Sequence, residues 1–192
     1  MNKIRLFSLA VLTGIAVLGL VIPASQNSLH AQSLSSTGSL SGIWVLTKGG
    51  TRALADIVLY RHDRDCFAST MTSLDESFSR KWECNAASPN DRLAALKAFH
   101  EKGIFTWVSL EPTLDVESSL GIVEATHRFV DLFKVGKANY LGEYSKGIDW
   151  QDYTLRMMDL CVRLGVNYYI KRDLQPHLPR GYDNPMRVAQ HF

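Results

Sequence analysis

The 192-residue sequence has only three cysteines, Cys66, Cys84 and Cys161, and they lie far apart. No C-x-x-C and no C-x-x-x-C-x-x-C spacing occurs, so local thiolate spacing gives neither a zinc nor an iron–sulfur site. An odd, scattered set fits free thiols in a reducing compartment, with a Cys66–Cys84 disulfide left open. His62, His100 and His127 lack the mutual spacing of metal ligands and read as surface residues. Excess charge of one sign is also missing: 21 Lys and Arg against 19 Asp and Glu give a net charge of +2. No global field therefore pulls the chain toward nucleic acid or anionic lipid, and Arg61, Arg64, Arg80 and Lys81 are scattered rather than clustered. There is no internal repeat, and Lys48-Gly49-Gly50 is too short for a phosphate loop and reads as a strand-to-helix turn. What is present, 46% hydrophobic and 21% charged residues, is the composition of one ordinary globular domain with a core.

The chain divides near residue 42. Lys3 and Arg5 precede an apolar run over residues 6–24, broken only by Ser8 and Thr13, and Leu29-His30-Ala31 follows as a loose cleavage-site candidate. This pattern suggests a signal-peptide-like segment over residues 1–31, with a membrane anchor or an apolar helix packed on the domain as alternatives. Export or membrane anchoring is the expected localisation, and this segment the only expected contact with a membrane. Residues 32–42, with Ser35, Ser36, Gly38, Ser39 and Gly42, read as a linker. The domain is expected over 43–175, and 176–192 as a C-terminal tail.

Beyond the linker the texture is α/β. Short runs at 43–47 and 104–110 read as buried strands, and 67–74, 129–135 and 167–171 read as further strands. Between them lie a helical pattern at 51–60, a loop or short helix at 77–85, and helices at 88–102, 115–127 and 149–164. Ser88 with Pro89, Asp115 and Asp149 are the start signals, and Gly103 and Gly165 the stops. Asp91 sits where a capping box places its acidic partner. Alternation of this kind predicts βαβ units and a parallel sheet of about five strands. A closed barrel needs ~250 residues, so the expected fold is an incomplete (β/α) barrel flanked by helices and preceded by an N-terminal apolar helix.

Several words stand in a fixed order along this region. They are Leu46-Thr47-Lys48-Gly49-Gly50, Trp82-Glu83-x-Asn85-Ala86-Ala87 and Asp91-Arg92-Leu93. Then come Gly103-Ile104-x-Thr106-Trp107-Val108-Ser109-Leu110-Glu111-Pro112 and Val130-Asp131-x-Phe133-Lys134-Val135-Gly136-Lys137-x-Asn139-Tyr140. Ile148-Asp149-Trp150 and Tyr168-Tyr169-Ile170-Lys171-x-Asp173-Leu174 complete the set. In order and spacing the chain resembles the C-terminal portion of radical S-adenosylmethionine (radical SAM) proteins of the spore-photoproduct-lyase-like, DNA-repair-related group. The resemblance implies a partial barrel, S-adenosylmethionine and a [4Fe–4S] cluster as cofactors, lyase-type radical chemistry, a cytoplasmic home and a nucleic-acid partner. Here the cluster-binding cysteine motif is missing, and Cys84 replaces the proline usual after Trp-Glu. No cluster is expected in this chain alone.

By that resemblance, Ser69, Thr70, Thr72, Ser109, Glu111, Lys134, Lys137 and Asn139 are the candidate cofactor-binding residues. Pattern alone says only that they are polar residues at strand ends. Glu111 follows an apolar strand and Lys134 interrupts one, placements that rarely serve packing. Arg92 and Glu83 read as a structural ion pair, and Trp107 and Trp150 as core or barrel lining. No catalytic residue and no metal ligand is assigned. Three functions follow as expectations. One is a truncated radical SAM-like protein without radical activity of its own that retains part of the S-adenosylmethionine pocket. Another is an exported pseudoenzyme or binding module for a nucleotide-like ligand or partner. The third is a barrel hydrolase using Glu111 with Asp131 or Glu83. An exposed sheet edge and self-association are expected as well.

Overall fold

A computed structural model describes residues 6–11, 15–20, 42–139, 141–181 and 186–187, with only the backbone path for 6–11, 15–20, 143–144 and 186–187. Tyr140, most of the signal-like segment, the linker before Gly42 and most of the tail lie outside the described residues. So does the proposed cleavage site.

Five parallel strands form the middle of one sheet: β3 (Trp44–Thr47), β4 (Cys66–Thr70), β5 (Phe105–Leu110), β6 (Leu132–Val135) and β7 (Asn167–Ile170). They correspond to the five runs expected from the sequence, four of them trimmed at the ends and β4 starting one residue earlier and ending four residues sooner. The backbone of β1 (Leu6–Val11) and β2 (Ile15–Leu20) pairs antiparallel, with β2 against β3, where the sequence suggests an apolar helix. β8 (Met186–Arg187) pairs antiparallel with β7. The parallel strands thus have neighbours on both sides, and the outermost strands are β1 and β8 rather than β3 and β7. No helix among the described residues is long and apolar enough to cross a membrane.

The connections are α1 (Glu76–Trp82), α2 (Pro89–Glu101), α3 (Val116–Thr126), α4 (Glu143–Lys146) and α5 (Trp150–Leu164), with a 3-10 segment at Gly50–Leu59. Their starts follow the capping logic of the sequence. Ser88 accepts from the Asp91 N–H at 3.2 Å, Asp115 from Ser118 at 2.7 Å, and Asp149 from Gln151 and Asp152, both at 3.0 Å. Asp91 departs from the expected capping box: its carboxylate accepts from the Thr51 hydroxyl at 2.6 Å and so anchors the 3-10 segment. Gly165 closes α5 at φ 73°, a left-handed conformation open to glycine.

Strand order is sequential, and α2, α3 and α5 pack on one face of the sheet. That face holds Phe67, Val108, Leu110, Phe133, Val135, Tyr168 and Ile170 against Leu96, Phe99, Ile122, Tyr153 and Met157. Phe67 and Phe99 stack with centroids 3.8 Å apart. One-sided, sequential winding is the pattern of a barrel wall rather than a doubly wound sheet. The opposite, inner face starts with a smaller apolar cluster of Trp44, Leu46, Cys66, Ala68, Phe105, Trp107, Leu132 and Tyr169.

Candidate functional site at the carboxyl ends of the strands

Side chains alternate across a strand, so the pairing register sorts the candidates by face. On the inner face, Ala68, Trp107 and Leu132 form one cross-strand row. The next row is Thr70, Ser109, Lys134 and Tyr169. One step further, beyond the strand ends, come Glu111, Gly136 and Lys171. The face therefore runs from an indole-lined floor to a charged rim.

The rim is tied together by side chains distant in sequence. Lys171 Nζ donates to Glu111 Oε2 and, at 3.0 Å, to the Ser109 hydroxyl. Asn139 Nδ2 donates to Asp173 Oδ2 at 2.7 Å and reaches Glu111 Oε1 at 3.5 Å. Gly136 makes this crossing possible, because a Cβ there would stand 2.8 Å from Glu111 Oε2 and 3.0 Å from Lys171 Cδ. Below the rim, Lys134 Nζ lies 3.7 Å from the Trp107 ring centre and 4.8 Å from that of Trp44. No carboxylate pairs with it among the described residues. Burial, reinforced by the Lys171 charge, brings its ammonium down to about 8. Cys66, deeper on the same face, is pushed up to about 12, chiefly by burial. The Trp107 Nε1–H is buried and finds no acceptor among the described residues.

The structure brings Thr70, Ser109, Glu111, Lys134 and Asn139 to this face or its rim. Three candidates fall elsewhere. Ser69 sits in the alternate register with Val108, on the helix-packed face, and donates to the Thr47 carbonyl at 3.0 Å. Thr72 donates to Glu83 Oε2 at 3.2 Å. Lys137 turns toward α5, its Nζ 3.3 Å from His177 Nε2 and 5.4 Å from the Trp150 ring centre. Lys171 and Asp173, which the sequence pattern did not single out, complete the rim. Their one local signal is the same as that of Glu111, charge just past an apolar strand.

The carboxylate pairs expected for a hydrolase are not assembled. Asp131 precedes β6, at the amino end of the sheet, where it accepts from the Thr106 N–H at 2.7 Å. Glu83 is buried and bonded to Arg92 at 2.7 Å and Lys48 at 2.8 Å. Burial alone would raise its carboxyl, but these two cations hold it below the usual range. Arg92, 1% exposed, also donates to the Ala87 and Thr70 carbonyls at 2.8 and 2.9 Å, which makes the pair structural, as expected.

The thiols do not fit an iron–sulfur cluster. Cys66 lies on the inner face, Cys161 is buried on α5 against the other face, and Cys84 is exposed beyond α1. Cluster irons need thiolates that converge on one point. The rim does offer groups suited to an amino-acid-like ligand: carboxylates for an ammonium, Lys171 for a carboxylate, and Ser109 and Asn139 for hydroxyls.

No protein-family model matches the chain, and no curated protein matches it in sequence. Its fold is similar to part of SuiB from Streptococcus suis. The structure of SuiB bound to S-adenosylmethionine superposes with a TM-score of 0.52 at 13% identity, covering 67% of this chain and 32% of SuiB. SuiB bound to the precursor peptide SuiA gives 0.51 at 13% identity, over 67% of this chain and 31% of that one. The chain thus spans about a third of SuiB. At 13% identity the likeness is one of fold alone, and it does not extend to the spore-photoproduct-lyase-like group.

Proposed function

We propose that the inner face is one wall of an S-adenosylmethionine pocket in a radical SAM-like fold, without radical chemistry of its own. The carrying observation is the Glu111–Lys171–Ser109–Asn139 rim, which Gly136 leaves room to form. S-adenosylmethionine, bound in SuiB, is a ligand whose amino-acid end such a rim could hold. When joined to a reduced cluster this cofactor supplies a carbon radical. In this chain, Glu111 and Asp173 would take the ammonium, Lys171 the carboxylate, and Thr70 and Ser109 ribose hydroxyls. The floor of Trp107 and Leu132 excludes water beneath them.

Titration calorimetry with S-adenosylmethionine tests this reading. Binding that weakens about tenfold or more in Glu111→Gln and in Lys171→Met, the loss of one charged contact, supports it. No heat with the folded wild-type chain overturns it. Anaerobic reconstitution with iron and sulfide addresses the radical step, and one full cluster per chain would refute the claim of absent radical chemistry.

The exported binding module is the companion reading, and a peptide is the partner class to try first, because a SuiB structure holds one. The basic residues give less support to nucleic acid. Arg61 contacts Asp63 at 3.5 Å, Arg64 contacts Asp65 at 3.8 Å and Arg80 contacts Glu76 at 2.6 Å. Export rests on the N-terminal pattern alone, and a fusion of residues 1–42 to a periplasmic reporter tests it.

A further inference from the structure

We propose that the inner face also holds a covalent site, where Lys134, caged between the Trp107 and Trp44 indoles with no carboxylate partner among the described residues, forms an imine with a small anionic aldehyde or α-keto acid. This claim does not require S-adenosylmethionine to bind, although Ser109 and Lys171 serve both readings.

A nucleophilic lysine must lose its proton near neutral pH, and lysines do so when desolvated or set beside another cation. Both conditions hold. The ammonium is half-buried, and Lys171, one residue past the end of β7, is the cation that acts on it. Among the described residues Cys66 on β4 also acts on Lys134, burial keeps its thiol protonated, and Glu111 is engaged by Lys171. From β5 the neighbour is neutral Ser109, in direct register with Lys134. The Ser109 oxygen accepts from Lys171, so its own O–H proton is left to donate to a carbonyl oxygen on the incoming molecule. Lys171, already bonded to Glu111 and Ser109, keeps a third N–H to donate to a carboxylate beside the carbonyl.

The step balances without an added oxidant or reductant. The Lys134 Nζ lone pair adds to the carbonyl carbon, and the nitrogen loses a proton as the carbonyl oxygen gains one. The carbinolamine then expels water, which leaves a C=N bond between lysine and substrate.

Glyoxylate with cyanoborohydride is the probe, because hydride reduction fixes the imine as carboxymethyl-lysine for peptide mapping. At pH 8 the folded chain should be labelled at Lys134 at least about tenfold faster than at Lys48, Lys137 or Lys171, since an ordinary lysine near 10.4 is under ~1% neutral there. The preference should vanish in strong urea, and Lys134→Arg should remove the fast phase. Even labelling across the lysines overturns the proposal, as does a preference that survives in urea. The wild-type map decides the matter even if the arginine variant fails to fold.

Discussion

Lys134 carries a cost that its neighbours can reveal. Its proton is held more weakly in the folded chain, near 8, than the ordinary 10.5 of an unfolded lysine. Below about 8 the folded state bears the full penalty of the buried charge, and the penalty fades as pH rises toward 10.5. Lys134→Met keeps an unbranched stem against the indoles and deletes the charge. Its melting temperature should exceed that of the wild type at pH 7, and the gap should close by pH 10. A gap independent of pH would rule out charge burial as the cause. Cys66 acts in the opposite sense, since its raised thiol favours the folded state until pH climbs from 9.0 toward 12. The comparison between variants is therefore the informative one. At Gly136 the expected effect is on binding: Gly136→Ala should weaken S-adenosylmethionine by about tenfold while the fold survives, because the new methyl strikes Glu111 and Lys171 rather than backbone. Equal affinity would show that the pair has no part in the site. Glu111 was legible in the sequence because a charge beside an apolar strand is conspicuous. Its partner was not, because Lys171 is 60 residues away and only register brings it over Gly136. Ser69 misled for a related reason: one residue of alternation decides which face a hydroxyl meets.

At the scale of elements, the caps and the buried ion pair set the tests. Ser88→Ala removes the acceptor for the first turn of α2 and should cost about 1 kcal/mol in chemical denaturation. Arg92→Met should cost ~3–5 kcal/mol, because Glu83 would be left with Lys48 as its one charged partner and the Ala87 and Thr70 carbonyls would lose their donor. A cost below about 1 kcal/mol would mean that Glu83 simply protonates or that water enters. Helix starts could be read from Ser88, Asp115 and Asp149 since capping is a local interaction. The use of Asp91 could not, because Thr51 competes for it from 40 residues earlier. α4 is not legible for a different reason: a helix of 4 residues leaves no periodic trace.

For the molecule as a whole, the parallel core was readable because five apolar runs alternate with amphipathic segments, a rhythm few other architectures share. The β1–β2 pairing was not, since an apolar stretch fits helix or strand equally. Hydrogen exchange should reflect the layout: β5 amides, flanked by β4 and β6 and covered by helices, should exchange most slowly, and those of two-residue β8 fastest. Faster exchange in β5 than in β3 would contradict the sheet order. The inner face also has a direction. Indoles and a protonated thiol occupy the amino end of the strands, and opposed charges occupy the carboxyl end. A guest lying along a strand is thereby oriented, greasy portion inward and ionised head at the mouth. Turned end for end, it would set its charge against the side chains of Leu132 and Ala68, which offer it no hydrogen bond. The wall thus acts as a steric and dielectric compass before any single contact has formed.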